Sequence, residues 1–295
     1  MSVKNPPFFS VVIPTYERPD DLERCVNSLS PERQINSPEY EVIVTDDSKT
    51  KRTMNLIKEK FPNVSWGFGK QNGPAGNRNA GVARAKGKWI VFLDDDCIAQ
   101  ENYLAEYAKA IKSNPDHLVF EGRIFADRPR RTWAEGCPEN EQGGMLWTSN
   151  LCVNRDLFNK MGGLDERFAI AYEDVDFALR LKKQSTPSYF VYSAGVCHPW
   201  RTLRNEGKNW KKRGYHIQEL LIFLDKHPDQ YPYHSSGVFL RHALRGIIKE
   251  LPVGIIHFGG KGNLFKIYRI FQSLQTALIV RKWLITQNLD KAISE

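Results

Sequence analysis

The chain predicts an α/β fold: a mostly parallel sheet flanked by helices, followed by a helical C-terminal extension. Three observations lead there. Apolar runs such as Phe8–Ile13, Tyr40–Thr45 and Trp89–Leu93 recur with helical stretches between them. Near-continuous apolar strands of this kind suit a parallel sheet covered on both faces. Each run ends in polar or acidic residues, and ligands of such sheets bind beyond the carboxyl ends of the strands. After Pro199 the pattern changes to helical stretches broken by Pro and Gly.

The elements follow in order. Phe8–Ile13 reads as the first strand, and Pro14-Thr15-Tyr16-Glu17-Arg18-Pro19 as the loop that leaves it. Asp20 is placed as an N-cap, with Glu23 three residues on and Leu22, Cys25, Val26 and Leu29 at helical spacing. A second strand, Tyr40–Thr45, ends at Asp46-Asp47-Ser48, and a short helix carrying Met54, Ile57 and Phe61 leads to a strand near Val64–Phe68. The loop Gly73-Pro74-Ala75-Gly76-Asn77 opens a small-residue helix that ends near Ala85, before strand Trp89–Leu93. Leu104, Ala108 and Ile111 mark another helix, and His117–Glu121 another strand. Gly122–Gln142 is polar and irregular, a long loop of the kind that often carries function. Met145–Val153 is apolar again, and Asp174–Lys183 reads as a helix with acids at its start and bases at its end, as the macrodipole favours. Three further helical stretches fall near 206–224, 237–250 and 263–286.

At 295 residues there is room for a sizeable core, and 41% apolar content is ordinary for a globular chain. Residues 1–7 lack the apolar stretch of a signal peptide, and no run reaches the roughly 18 to 20 residues of a membrane span. Cys25, Cys97, Cys137, Cys152 and Cys197 are scattered, without a C-x-x-C pair, which fits reduced thiols in a cytoplasmic protein and gives no zinc signature. Charge is uneven: residues 201–295 carry 16 Lys/Arg against 7 Asp/Glu, a balance of +9 within a chain of +8. Such a region suits an anionic acceptor or anionic lipid, and with no tandem nucleic-acid modules no nucleic-acid partner is expected. Organisation therefore divides into 8–200 and a basic extension, 201–295.

Chemistry concentrates at Asp94-Asp95-Asp96, directly after the apolar run Trp89–Leu93. Three like charges at the end of a buried strand are costly unless a cation neutralises them, and carboxylates suit a hard ion, Mn²⁺ or Mg²⁺. The bland alternative is an acidic turn capping the next helix.

Four pieces stand in sequence: the Asp46-Asp47 strand end, the G-P-A-G-N-R-N-A-G loop with Arg78, the D-D-D triplet, and G-G-L-D-E-R-F (162–168) followed by Glu173-Asp174. Their order and spacing resemble the inverting family-2 glycosyltransferases, which have a GT-A fold, over roughly residues 8–200. The resemblance implies a nucleotide-sugar donor and a metal on Asp96, with Asp94 beside it and His198 as a downstream ligand. It also implies Asp94 or Asp95 against the sugar or ribose, and Asp46 or Asp47 with Arg78 reading the base above a floor of Pro14, Thr15, Tyr16 and Glu17. Asp174 matches the family's catalytic base, Glu173 would orient the acceptor, and Gly162-Gly163 would let backbone approach the sugar. Each has a structural reading too: an Asx turn at Asp46-Asp47, a surface arginine at Arg78, first-turn helix acids at Glu173-Asp174, and a solvated histidine at a strand end.

The implied activity is metal-dependent transfer from a UDP- or dTDP-sugar to a glycan, glycolipid or cell-surface polymer, with peripheral contact to the inner face of a membrane. A sugar-nucleotide nucleotidyltransferase should show a Gly-rich loop after the first strand, and residues 14–18 are not one. A non-catalytic membrane- or nucleic-acid-binding protein leaves the convergent acids unexplained. For the last helix, with Leu264, Ile267, Tyr268, Phe271, Leu274 and Leu278 on one face, the expectation is packing against its own domain, with a helix lying on a membrane as the alternative.

Overall fold

A computed structural model describes residues 6–202, 210–260 and 262–294. The chain forms two compact units, one of Met1–Asp127 with Pro138–Pro199 and one of Arg128–Cys137 with Trp200–Glu295.

The first unit is an eight-stranded sheet with helices. In chain order it contains β1 (Phe9–Thr15), α1 (Pro19–Ser28), β2 (Tyr40–Asp46), α2 (Arg52–Lys60), β3 (Ser65–Phe68), α3 (Pro74–Val82), β4 (Trp89–Leu93) and β5 (Ile98–Ala99). There follow α4 (Tyr103–Ser113), β6 (Val119–Ala126), β8 (Asn150–Asn154), α5 (Arg155–Lys160), α6 (Glu173–Lys183) and β9 (Ser188–His198); the short β7 (Glu135–Gly136) belongs to the second unit. Strand order is β3-β2-β1-β4-β8-β6-β9-β5. The βα alternation makes β3, β2, β1 and β4 parallel, as the apolar runs predict, and β1 and β4 are buried throughout. β8 then pairs antiparallel with β4 and β6, β6 pairs parallel with β9, and β5 is antiparallel to β9.

Local chemistry places the pieces. Helix α1 begins at Pro19 with Arg18 at the cap, so Asp20 lies in the first turn instead of capping it; proline's fixed φ and missing N–H suit that first position. Helix α3 lies close on the sheet because Gly81 has no side chain: a Cβ there would overlap Val12 Cγ1. Asn154 ends β8 and caps α5, accepting from the N–H groups of Asp156 and Leu157 at 3.1 Å.

The second unit pairs β7 with β10 (Arg201–Thr202) and adds α7 (Trp210–Lys226), a 3₁₀ turn (Pro228–Tyr233), α8 (Ser236–Arg245), α9 (Leu251–Phe258) and α10 (Asn263–Ser294). The sequence suggests a break after residue 250, yet helix continues through a π turn, Gly246–Glu250, into α9. The wider turn accommodates Pro252, which has no N–H to donate. The start of the stretch expected from residue 206 lies outside the described residues.

Candidate active site

Parallel register puts the ends of β1, β2 and β4 on one edge, with Thr15 opposite Asp46 and Val12 opposite Phe92. The loops beyond them meet there. Thr15 Oγ1 donates to Asp95 Oδ2 at 2.7 Å, and Arg18 Nη1 reaches Asp95 Oδ1 at 3.3 Å and Asp96 Oδ2 at 3.2 Å. Asp95 and Asp96 are buried, and burial pushes the Asp95 carboxyl up to about 7 despite the opposing pull of Arg18. Asp94 turns the other way and accepts from Arg78 Nη2 at 2.6 Å. Asp94 is thus set apart from Asp95 and Asp96, and Arg18 already supplies positive charge at the mouth of those two.

His198 reaches this rim because β9 pairs with β5, just beyond the triplet. Its Nε2 lies 3.3 Å from Asp96 Oδ1, and its Nδ1 lies 2.8 Å from the Pro199 carbonyl. A carbonyl only accepts, so Nδ1 carries the proton, and in the neutral ring Nε2 presents a lone pair toward Asp96. A carbonyl-fixed ring with a lone pair facing a carboxylate fits a divalent cation. Cys97 brings its sulfur into the same group, where the three ligand atoms lie within 4.8 Å of one another. Burial raises the Cys97 thiol well above its usual range, so it stays protonated and suits a hard ion poorly. Asp96 and His198 are therefore the protein groups fit for Mn²⁺ or Mg²⁺.

On the other side of Asp94, Arg78 projects from α3 and is buried, with Nη1 donating to Glu173 Oε1 at 3.1 Å. One guanidinium thus spans Asp94 and Glu173, residues 79 positions apart in the chain. Glu173 opens α6, and burial pushes its carboxyl up to about 7 against the pull of Arg78. Asp174 follows, half-buried, accepting from the Val175 N–H at 2.8 Å; burial raises it also. The segment before α6 is tied to the last turn of that helix and to the loop and helix around α3. Gly162 and Gly163 adopt positive φ after α5, and Arg180 of α6 donates to the carbonyls of Met161 and Gly163 at 2.6 and 2.7 Å. Glu166 accepts from Lys70, Asn72 and Asn79 at 2.5, 2.9 and 2.9 Å. The glycine pair thus serves the turn itself, and a Cβ on Gly163 would sit 2.9 Å from Asn79 Oδ1.

Of the acids after β2, Asp46 is engaged in local structure: Oδ1 accepts from the Ser48 N–H at 2.8 Å, an Asx turn, and Oδ2 from Trp66 Nε1 at 3.2 Å. Asp47 Oδ1 accepts from the Gln71 N–H at 2.9 Å, and burial raises its carboxyl. Asn77 lies beside it, its Nδ2 donating to the Thr15 carbonyl at 3.3 Å while its buried Oδ1 has no partner among the described residues. A Cβ on Gly69 would overlap both Asp47 Oδ1 and Asn77 Oδ1, so that glycine lets the chain pass against them. Pro14 is buried within β1, Tyr16 is exposed, and Glu17, at φ 54°, accepts from the N–H groups of Lys49 and Thr50 at 2.8 and 3.0 Å. Those bonds hold the loop after Asp47, and the Thr50 contacts lower the Glu17 carboxyl.

Three residues of this rim escape a motif reading. Arg18 was visible only as a loop residue after β1, Asn77 only as part of a small-residue loop, and Cys97 only as a scattered cysteine. Asp94–Asp96 mark where a cation must lie, but nothing in the local pattern says which arginine reaches them.

Acids, a histidine and a buried arginine gathered at the carboxyl edge of a curled, mostly parallel sheet define a group-transfer site on a GT-A-like fold. Residues 10–171, more than half of the chain, match the family described as Glycosyl transferase family 2, and the protein belongs to that family. It is a glycosyltransferase. A protein described as an uncharacterized glycosyltransferase from Haemophilus influenzae is 27% identical over 232 residues, covering 74% of this chain and 76% of its own. Validoxylamine A glucosyltransferase of Streptomyces hygroscopicus subsp. limoneus is 31% identical over 296 residues, with 85% and 63% covered. The crystal structure of Staphylococcus aureus TarS superposes with a TM-score of 0.56 at 16% identity, over 93% of this chain and 55% of that one, a likeness of fold.

Proposed function

We propose that the protein is an inverting, metal-dependent glycosyltransferase that moves a sugar from a nucleoside-diphosphate sugar to a hydroxyl of a glycan, glycolipid or cell-surface polymer. The observation that carries this reading is the chain Asp94–Arg78–Glu173, which ties the acidic rim to the start of α6, where Asp174 stands with a raised carboxyl. Inversion requires one base: Asp174 takes the acceptor's hydroxyl proton as the new C–O bond forms at the anomeric carbon, and the bond to the diphosphate oxygen breaks with its electrons on the leaving group. A carboxyl raised toward neutrality is a stronger base than an ordinary aspartate. Glu173, fixed by Arg78, orients the acceptor beside it.

Asp96 and His198 would hold Mn²⁺ or Mg²⁺, which when bound neutralises charge growing on the departing diphosphate. Arg18 lies across Asp95 and Asp96 and can move to a phosphate oxygen, since its side chain is half-exposed. For the base, the adjacent oxygens of Asp47 and Asn77 favour an imide N–H donor, hence uracil or thymine. Poly(ribitol-phosphate) beta-N-acetylglucosaminyltransferase TarS, 30% identical over 139 residues, favours a polymer acceptor, although the chain spans only 24% of that relative. A lipid-linked acceptor would bring the enzyme to a membrane, and the basic helical unit is the part suited to meet it.

The test is release of nucleoside diphosphate from a panel of UDP-, dTDP- and GDP-sugars, with Mn²⁺ and with EDTA. Metal-dependent turnover of a uridine or thymidine donor is expected. Turnover unaffected by EDTA, or confined to guanosine donors, would overturn the metal or base assignment.

A further inference from the structure

Much of the apolar stripe of α10 does not face its own unit. Ile270, Ala277 and Val280 make the buried side, while Leu264, Phe271 and Leu278 are 83%, 66% and 69% exposed. The α8–α9 helix does the same. Ala243 and Gly246 are buried, and the missing side chain at Gly246 admits α10, since a Cβ there would lie 2.7 Å from Ile270 Cγ1. Its outer side carries Leu240, Leu244 and Ile248 at four-residue spacing, with Ile248 and Ile256 73% and 76% exposed. One position after each of the first three stands a base, Arg241, Arg245 or Lys249, all exposed. A step of one residue is about 100° around a helix, so a basic stripe runs beside an apolar one. Across residues 236–285 there are eight Lys/Arg against one acid, Glu250, a balance of +7. That acid is already paired with Arg245 and Lys266.

We propose that these helices form a docking surface for an anionic lipid bilayer. An uncovered apolar stripe bordered by bases is the pattern of a helix that lies in the headgroup plane, its apolar side chains entering the acyl boundary. Among the described residues no helix is long and apolar enough to cross a membrane, so the contact is interfacial. Charge decides between occupants. A second copy would set one basic stripe against another, whereas an anionic leaflet attracts each exposed basic residue, roughly fivefold in partitioning per residue at low salt. The proposal extends beyond the glycosyl-transfer reading and is measured without turnover, so failure of either leaves the other standing.

The experiment is co-sedimentation of the full chain with phosphatidylcholine vesicles, with and without phosphatidylglycerol, at low and high salt, alongside sedimentation velocity without lipid. Two double variants accompany it, Ile248→Glu with Ile256→Glu and Arg241→Glu with Lys249→Glu; all four positions are exposed, and circular dichroism checks that the fold is kept. Binding confined to the anionic vesicles and weakened by salt is expected. The apolar variant should lose roughly tenfold or more, and the charge variant roughly 25-fold at low salt from the two lost bases, and more from the two acids that replace them. Indifference to anionic vesicles at low salt, equal binding to neutral ones, or a lipid-free dimer that the Ile248→Glu change dissolves would each overturn it, the last assigning the surface to a second copy.

Discussion

Glu173→Gln probes the link between electrostatics and catalysis in this site. The amide keeps the shape and can still accept from Arg78, which retains Asp94 at 2.6 Å, so the guanidinium is not stranded. What disappears is a carboxyl that keeps its proton up to about pH 7 and adds a negative charge beside Asp174 only above that. Both carboxyls are raised, with burial the first cause in each, and they titrate as a pair. Neighbouring carboxylates at an effective permittivity near 20 repel by about 2 kcal/mol, which corresponds to about 1.5 pKa units. Burial and that repulsion keep Glu173 protonated until Asp174 has ionised, so the glutamine, which mimics protonated Glu173, leaves the titration of Asp174 in place. A base must be ionised to act, so the acid limb of kcat/KM should stay within about half a unit of wild type while the plateau falls no more than about tenfold. Stability gives an independent reading. Glu173, raised from 4.5 to about 7 in the fold, keeps a proton that the unfolded chain releases across that window. Wild-type stability is therefore lost as pH rises through it, and the glutamine variant should lack that share of the slope. The assays are a pH–rate profile and urea unfolding at about pH 5 and pH 8. A limb that moves by about a unit or more would refute the reasoning, and a plateau collapse of about a thousandfold would give the proton transfer to Glu173 instead.

The other expectations concern the donor side. Asp96→Ala should abolish the metal-dependent part of nucleoside-diphosphate binding with the fold intact, read by calorimetry with Mn²⁺ and with EDTA; full affinity in EDTA would remove Asp96 from the metal site. Arg18→Met takes a guanidinium off Asp95 and Asp96, so free protein at about pH 8 should bind Mn²⁺ several-fold more tightly; weaker binding would show that Arg18 orients these acids for the ion. In Gly69→Ala the added methyl must displace Asp47 or Asn77, so UDP affinity should drop roughly tenfold or more while the melting temperature changes little; unchanged affinity would mean that neither residue meets the base.

Much of the parallel half of the first unit was legible because its central strands are near-continuous apolar runs. Strands β1, β2 and β4 announce themselves as short runs between turn residues, and burial on both faces fixes them as parallel. The acids at the start of α6 and the bases at its end follow the helix dipole and fall as expected. The antiparallel half was less legible. Strand β9, Ser188–His198, mixes exposed and buried positions without a regular alternation, and its register against β6 shifts between Gly122 and Ile124. The ion pairs of Arg78 join residues 16 and 95 positions away, a separation no local pattern encodes. Asp46 and Asp47 look alike in sequence, and only the indole of Trp66 and the Ser48 N–H separate a turn-building acid from its neighbour. In α10 the helix packs on its own unit as expected, through Ile270, Ala277 and Val280, but much of the stripe lies in solvent, because periodicity reveals a face but not its partner.

The central claim is that Asp174 is the base of the transfer, and Asp174→Asn tests it most directly. The amide preserves shape but cannot take the acceptor's proton. With a donor identified by the nucleotide-sugar panel, turnover should fall roughly 10²–10⁴-fold while affinity for the nucleoside diphosphate and its metal stays at the wild-type value. Turnover above about a tenth of wild type, with donor affinity unchanged, would contradict the claim.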